Sequence, residues 1–282
     1  MEIIFLGSAG GRVATFRQFR GSGGFLIKTQ ETTIHIDPGP GAFIRLIQAG
    51  ISPSDIDVFV VTHSHLDHFA DINTLIEAKT LGDWNRSGIL MAPESALVED
   101  PIVLKYTVKN LSRIVALKEE TSETIKDIQI SVAMKHKHQG IETYGIKFTS
   151  GQVKVGYVTD GRFEERMVEA YSSCSIMIMN MTFIKPRDMD HLSLPDVLTL
   201  IREIKPLLAI INHTGMEVIS KGYKKVEEEI TELTGVQTIC AKEFLKVKLG
   251  NGIEKTTVKL KNPLGINSLE EWWDRKRKKS TD

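Results

Sequence analysis

The sequence has few cysteines, no net charge and no long apolar run, and each shortage excludes a class of protein. Two cysteines in 282 residues rule out a disulfide-dense secreted scaffold. Cys174 and Cys240 both lie in apolar runs, so we expect buried free thiols, which suit a reducing compartment. No apolar run reaches about 18 residues, and residues 1–7 lack the basic start and the length of a signal peptide. A cytoplasmic protein without a membrane span is therefore expected.

The charge of the chain is balanced. Lys+Arg and Asp+Glu both number 36, so the formal net charge is +0. Proteins that hold long nucleic acids by charge usually carry a basic excess or a basic stripe. The balance therefore favours a small-molecule substrate over folded RNA. A basic run does occur at Arg275–Lys279, but such runs are usually just solvated.

Alternating and periodic apolar patterns predict a single α/β domain over residues 1–282, with two sheets inside and helices outside. Strand patterns cover residues 2–6, 25–28, 32–36, 58–61, 128–134, 144–149, 153–159, 175–179, 208–212, 236–240 and 245–249. Helical patterns cover residues 42–49, 67–79, 164–171, 194–203 and 221–233. Residues 7–24 are predicted to form a glycine-rich loop. Residues 80–126 mix short strands and helices whose order stays open, and a short basic tail covers about 268–282.

The strongest chemical signal is a cluster of four potential metal ligands directly after the strand pattern at 58–61: His63, His65, Asp67 and His68. Imidazole is the commonest ligand for zinc and similar metals. His63 and His65 are two residues apart, so in an extended segment they point the same way. Asp67 and His68 are adjacent, so they point differently and can serve a second ion. The cluster therefore predicts a two-metal centre.

Further ligands have to come from elsewhere, and the chain has only eight histidines. His136 and His138 follow one strand pattern, Asp160 follows another, and His213 follows a third. Ligands that follow several strands can converge at one sheet edge, and a carboxylate such as Asp160 can bridge two cations about 3.5–4 Å apart. His35 lies inside a strand pattern and is interpreted as structural.

This arrangement resembles the metallo-β-lactamase superfamily, whose His-x-His-x-Asp-His signature matches residues 63–68, followed by His, Asp and His in the same order. The resemblance extends from Phe5-Leu6-Gly7 to His213 and implies a four-layer αββα sandwich. It also implies two ligand sets and a bridge: His63, His65 and His138 for one metal, Asp67, His68 and His213 for the other, and Asp160 between them. His136 is the alternative to His138. The implied cofactors are two divalent ions, zinc first, with manganese or iron as alternatives.

A second segment resembles ribonuclease Z and related phosphodiesterases of that superfamily. Asp190-His191-Leu192-Ser193 precedes a predicted helix, in the place where this branch has an extra histidine that is thought to protonate the leaving oxygen. His191 has a suitable ordinary pKa for a general acid near neutrality. The alternative reading is a polar residue at a helix start, with Ser193 as the cap. Asp67 and His191 are the residues expected to be catalytic.

The function implied is hydrolysis of a small phosphodiester, cyclic or nucleotide-like, with hydroxide from metal-bound water as the nucleophile. Hydrolysis of a lactone, ester or thioester stays open, as do a non-hydrolytic metal-binding protein and an iron oxidoreductase. Cleavage of precursor tRNA is not expected. The common bacterial ribonuclease Z has an RNA-binding arm between the third histidine and the bridging aspartate, whereas two strand patterns already fill residues 138–160 here. A homodimer is left open, and no membrane partner is expected.

Overall fold

Two eight-stranded sheets form the centre of the structure, a computed structural model that describes residues 1–81, 86–250 and 252–260. The first sheet has the spatial order β16 (Ile253–Thr257), β15 (Leu245–Leu249), β1 (Glu2–Phe5), β2 (Phe25–Lys28), β3 (Thr33–Ile36), β4 (Val58–Val60), β5 (Ile89–Pro93) and β6 (Arg113–Leu117). The second has the order β14 (Thr238–Cys240), β13 (Leu208–Asn212), β11 (Ile176–Phe183), β10 (Val153–Val158), β9 (Thr143–Ser150), β8 (Ile128–His136) and β7 (Ser122–Ile125), with β12 (Leu192–Ser193) beside β11.

Helices cover the outer face of each sheet. The described helices are α1 (Gly11–Phe16), α2 (Ala42–Gln48), α3 (Leu66–Phe69), α4 (Ile72–Thr80), α5 (Glu94–Val98), α6 (Lys105–Val108), α7 (Arg166–Tyr171), α8 (Leu194–Ile204), α9 (Met216–Lys221) and α10 (Tyr223–Thr234), with a 3-10 turn at Pro53–Asp55. No helix among the described residues is long and apolar enough to cross a membrane.

Three separate apolar clusters hold the four layers together. One lies between the sheets, one joins the first sheet to α2, α4 and α5, and one joins the second sheet to α7, α8, α9 and α10. Alternating side chains of one strand contribute to two of these clusters. At β1, Ile3 and Phe5 face the other sheet, while Ile4 and Leu6 face the helices. Each such buried side chain contributes about 1.5–3 kcal/mol. The predicted four-layer αββα sandwich is confirmed.

Four strands at one side of each sheet run parallel, and their direction determines where the site lies. Strands β3, β4, β5 and β6 run parallel in the first sheet, and β10, β11, β13 and β14 in the second. Parallel strands end at the same edge, and the residues that follow them collect there. The loops after β3, β4, β10 and β13 begin at this edge.

Several element boundaries differ from the sequence prediction. The predicted loop at 7–24 contains the short helix α1. The predicted helix at 67–79 divides into α3 and α4, and the one at 221–233 corresponds to α10, which begins at Tyr223 after α9 has ended at Lys221. In the second case Gly222 has a φ of 89°, which ends α9 before α10 begins. The edge strand β16 was missed because its residues are mostly exposed and lack an apolar pattern. The predicted tail at 268–282 lies outside the described residues. Cys174 and Cys240 are buried and free, as predicted.

Candidate metal centre

His63, His65 and His138 form the first group of potential ligands. His63 Nε2 lies 3.2 Å from His65 Nδ1, and His65 Nδ1 lies 3.0 Å from His138 Nε2. Burial lowers the pKa of all three rings, that of His65 to about 4, so each is neutral near pH 7. Neutral imidazole is the form that binds a metal. The geometry therefore gathers three nitrogen donors at one point.

Asp67, His68 and His213 form the second group. His68 Nε2 lies 3.3 Å from His213 Nε2, and His213 Nε2 lies 3.4 Å from Asp67 Oδ2. Burial opposes ionisation of Asp67, but the hydrogen bond from His213 and the nearby His68 together hold its pKa below the ordinary value. Asp67 is therefore an anionic oxygen donor beside two imidazoles.

Asp160 lies between the two groups. Its Oδ2 is 3.5 Å from His68 Nε2 and 3.8 Å from His138 Nε2, and its Oδ1 is 3.3 Å from His213 Nδ1. The carboxylate is 2% exposed. Burial alone would raise the pKa of Asp160, but His213 and His68 outweigh that effect and hold it well below the ordinary value. One buried carboxylate thus reaches both groups of ligands.

The spacing of these donor atoms suits divalent cations. Ligands bound to one tetrahedral zinc at about 2.0–2.1 Å lie roughly 3.3 Å from one another. The nitrogen–nitrogen distances within the two groups are 3.0, 3.2 and 3.3 Å. Each group has its ligand atoms within 4.8 Å of one another, as has the group of His63, His68 and Asp160. The residues therefore fit two neighbouring metal ions held by nitrogen and oxygen.

Asp37 orients two of the histidines. It directly follows β3, is 3% exposed, and its Oδ2 accepts from His68 Nδ1 at 3.0 Å and from the Thr62 hydroxyl at 2.9 Å. Because the Thr62 proton is used on Asp37, Thr62 Oγ1 accepts from His63 Nδ1 at 3.1 Å. Both rings consequently present Nε2 to the centre. A carboxylate behind a ligating histidine is typical of metal sites.

The Asp190 carbonyl orients His138. The Nδ1 of His138 donates to this carbonyl at 2.8 Å, so its Nε2 faces the centre. His136, the sequence alternative, lies elsewhere. Its Nδ1 is 3.1 Å from the Asp160 carbonyl and its Nε2 is 3.0 Å from the Tyr171 hydroxyl. The structure thus brings His138, and not His136, to the other ligands. His35 lies within β3 with its Nε2 2.9 Å from the Gly23 carbonyl.

His191 lies beside the two ligand groups, and one of its ring nitrogens is within 4.8 Å of donor atoms of His138 and Asp160. Its Nδ1 is 3.5 Å from Asp160 Oδ2 and 3.3 Å from the Thr182 hydroxyl, and its side chain is 9% exposed. Burial lowers its pKa, with His213 and His68 adding to the effect against the attraction of Asp160. Its Nε2 has no hydrogen-bond partner among the described residues. Ser193 caps α8 with Asp196, so the cap and His191 occupy separate places.

Several residues around the centre had no predicted role, among them Asp37, Asn180 and Thr182. Asp37 could have been found because it directly follows a predicted strand at the edge where the ligands collect. Asn180 and Thr182 lie within β11: Asn180 donates to Asp160 Oδ1 at 2.8 Å, and the Thr182 hydroxyl lies 3.2 Å from His213 Nδ1. Nothing in their local sequence separates them from ordinary buried strand residues.

Comparisons with known proteins agree with this architecture. The sequence profile described as the beta-lactamase superfamily domain matches residues 32–214. The uncharacterized protein MJ1374 of Methanocaldococcus jannaschii is 34% identical over 262 residues, which cover 89% of this chain and 96% of that protein. A ribonuclease Z of Aeropyrum pernix is 30% identical over 129 residues, 45% of this chain and 41% of that enzyme. The solved structure of the metallo-beta-lactamase fold protein YhfI of Bacillus subtilis aligns with a TM-score of 0.73 at 15% identity, covering 90% of this chain and 98% of that one.

Proposed function

This chain belongs to the beta-lactamase superfamily, and we propose that it is a two-metal phosphodiesterase that hydrolyses a small phosphodiester, cyclic or nucleotide-like. The observation that carries the proposal is the position of His191, whose Nδ1 lies 3.5 Å from Asp160 Oδ2 and which is outside the two ligand sets assigned to the metals. A proton donor at that place suits a reaction that expels a poor leaving oxygen, and a site that only bound metal would not need it.

Two ligand sets are assigned to the metals. One ion would be held by His63, His65 and His138, the other by Asp67, His68 and His213, with Asp160 shared between them. When bound, the two cations supply Lewis acidity at the phosphoryl oxygens and lower the pKa of water so that it attacks near neutral pH. The donor chemistry matches zinc first, with manganese or iron accepted by the same ligand types.

The chain's own groups then act on protons. Asp67 is ionised, so its carboxylate oxygen that does not bind metal would accept a hydrogen bond from the attacking water and orient it. His191 has Nδ1 beside Thr182 and Asp160, which leaves Nε2 to deliver a proton to the leaving oxygen. Burial lowers the His191 pKa, and an anionic phosphodiester next to the ring would favour the protonated form again.

The segment between His138 and Asp160 supports a small substrate. Strands β9 and β10 form a hairpin there, paired from Ser150 opposite Val153, and the hairpin belongs to the second sheet. Residues 138–160 therefore contribute no protruding arm to grip a folded RNA. The balanced charge of the chain agrees, since a large phosphate footprint needs a basic surface.

A turnover screen tests the proposal. Protein loaded with zinc or manganese is offered cyclic and linear phosphodiesters, a 3′-extended precursor tRNA, lactones and thioesters. We expect turnover of small phosphodiesters, little release of mature tRNA, and little hydrolysis of carbonyl substrates. His191→Ala should keep full metal content and lose about 10²-fold or more in rate, the range of general-acid contributions. The loss should be smaller for substrates with good leaving groups.

Met189→Ala is the matched control, because Met189 lies two residues before His191 and its side chain is 48% exposed. It should leave both metal content and rate unchanged. Faster hydrolysis of a lactone or thioester than of any phosphodiester would replace the proposal with the carbonyl-hydrolase alternative. Loss of metal in His191→Ala would show that His191 is a ligand and not the acid.

A further inference from the structure

One arginine ties together three chain segments that contribute residues to the proposed site. Arg162 follows Asp160 by two residues, in the turn after β10. Its backbone N–H donates to the Lys137 carbonyl at 2.9 Å. Its Nε donates to Asp190 Oδ1 at 2.8 Å, and its Nη2 donates to Asp188 Oδ1 at 2.8 Å. The backbone of Arg162 therefore connects the segment after β10 to the end of β8, and its guanidinium connects that segment to the loop before β12.

Asp190 is the acceptor through which this connection reaches the site. Besides Arg162, its carboxylate accepts from the Gln139 backbone N–H at 2.8 Å. Its carbonyl accepts from His138 Nδ1 at 2.8 Å, and its peptide continues directly into His191. One residue thus contacts the segment of a proposed ligand and immediately precedes the proposed acid.

The loop that leads to His191 is held at its other end by a second charged residue. Glu217, in the first turn of α9, accepts from the backbone N–H groups of Ile184 at 3.0 Å and Lys185 at 3.3 Å, and it pairs with Arg187. The stretch between these two attachments has no regular secondary structure. Its position therefore depends on the side chains at its two ends.

The Arg162–Asp190 pair is poorly placed to add global stability. The Arg162 side chain is 43% exposed, and ion pairs that exposed contribute little to folding. The Arg162–Asp190 pair acts instead on orientation, because the guanidinium has donors in a fixed geometry that orient the carboxylate. We propose that Arg162 and Asp190 are positioning residues that hold the His191 ring against Asp160. This inference rests on the proposed function, since it assigns the two residues to the acid step.

Substitution of Arg162 tests the inference. Arg162→Ala should lower kcat by about 10- to 100-fold for a phosphodiester with a poor leaving group, because a displacement of roughly 1 Å can cost up to about 10²-fold. With a good leaving group the loss should be much smaller, since less protonation is needed. Arg162→Lys should restore part of the rate, and in a His191→Ala background Arg162→Ala should cause little further loss.

A second readout does not depend on activity. Hydrogen exchange of the backbone amides in residues 184–191 should become faster in Arg162→Ala, with an unchanged melting temperature. Arg166→Ala is the matched control. Arg166 is 52% exposed, donates to the Lys135 carbonyl at 2.8 Å and pairs with Glu164 and Glu119, but it has no contact with the loop before His191. That variant should leave both exchange and turnover as in the parent.

The outcomes separate the inference from the proposed function. Equal loss of rate for good and poor leaving groups, or a full further loss in the His191→Ala background, would overturn the positioning role. Unchanged exchange in residues 184–191 would overturn it as well. If the parent protein hydrolyses no phosphodiester, the proposed function fails, and faster exchange in Arg162→Ala would still show that Arg162 holds the loop.

Discussion

Replacement of Asp37 by asparagine should selectively weaken the metal site that includes His68. Asp37 Oδ1 accepts from the Thr62 backbone N–H at 2.8 Å, and its Oδ2 accepts from the Thr62 hydroxyl, the Tyr157 hydroxyl and His68 Nδ1 at 2.9–3.0 Å. The asparagine amide has one oxygen, so it can accept hydrogen bonds either at the Oδ1 position or at the Oδ2 position, but not at both. Whichever way it turns, its NH₂ group faces a buried donor, and the network loses at least one charged hydrogen bond.

The magnitude follows from those contacts. A hydrogen bond to a charged group contributes about 1.5–3 kcal/mol. Loss of an orienting partner behind a metal-bound histidine typically costs about 10- to 100-fold in metal affinity, which corresponds to roughly 1.4–2.7 kcal/mol. The two ranges agree, so Asp37→Asn should lower the affinity for the ion at Asp67, His68 and His213 by about 10- to 100-fold. The ion at the other three histidines should change less, because only His63 is connected to Asp37, through Thr62.

Competition with a chelator of known affinity measures both binding steps. Asp57→Asn is the matched control. Asp57 accepts from the Thr33 backbone N–H at 2.9 Å and pairs with Lys126 at 2.8 Å, but it lies at the start of β4, the end of that strand away from the ligands. The control should bind both ions normally. Normal binding of both ions by Asp37→Asn, or equal weakening of the two, would refute the reasoning.

Two further predictions concern single positions. Burial lowers the pKa of His35 from 6.5 to about 4, so its contribution to stability is fully present above pH 6.5 and is lost as the pH falls toward 4. When the pH falls from 7 to 5, the unfolding free energy of the parent should therefore drop by about 2 kcal/mol more than that of His35→Leu. Urea unfolding at both pH values measures the two drops, and equal drops would contradict the prediction. A Cβ at Gly10 would overlap the His213 backbone and ring, so Gly10→Ala should weaken the metal held by His213. Gly250→Ala, with nothing near its Cβ, is the control and should bind like the parent; the same result for Gly10→Ala would show that the close contact has no effect.

Sequence patterns predicted the layers and the meeting of the candidate ligands for identifiable reasons. The proposed ligands His63, Asp160 and His213 each follow a buried strand, so strand assignment predicted that they meet at a sheet edge, whereas the two ligand sets came from the family resemblance. The connections between distant segments could not be predicted in this way. Asp37 meets His68, and Arg162 meets Asp190, although the partners are 31 and 28 residues apart, and such pairs depend on the paths of the loops that follow neighbouring strands.

Short elements were also beyond the sequence patterns. Helix α1 has six residues and no side-chain cap, and its exposed Val13 and Phe16 give no amphipathic pattern. Its position is set by tertiary contacts, because the Gly10 N–H just before it donates to the Thr214 carbonyl. Helix starts without a cap residue and with outward apolar side chains lack the local signals on which prediction depends.

Titration of metal-free protein with zinc or manganese tests the two-metal phosphodiesterase most directly. Elemental analysis and turnover of a small phosphodiester are followed together at each addition. We expect about two ions per chain and turnover that rises as the second ion binds. Asp160→Ala should bind both ions more weakly. A single ion per chain at saturating metal, or full phosphodiester turnover with one ion or in the presence of a strong chelator, would contradict the two-metal proposal.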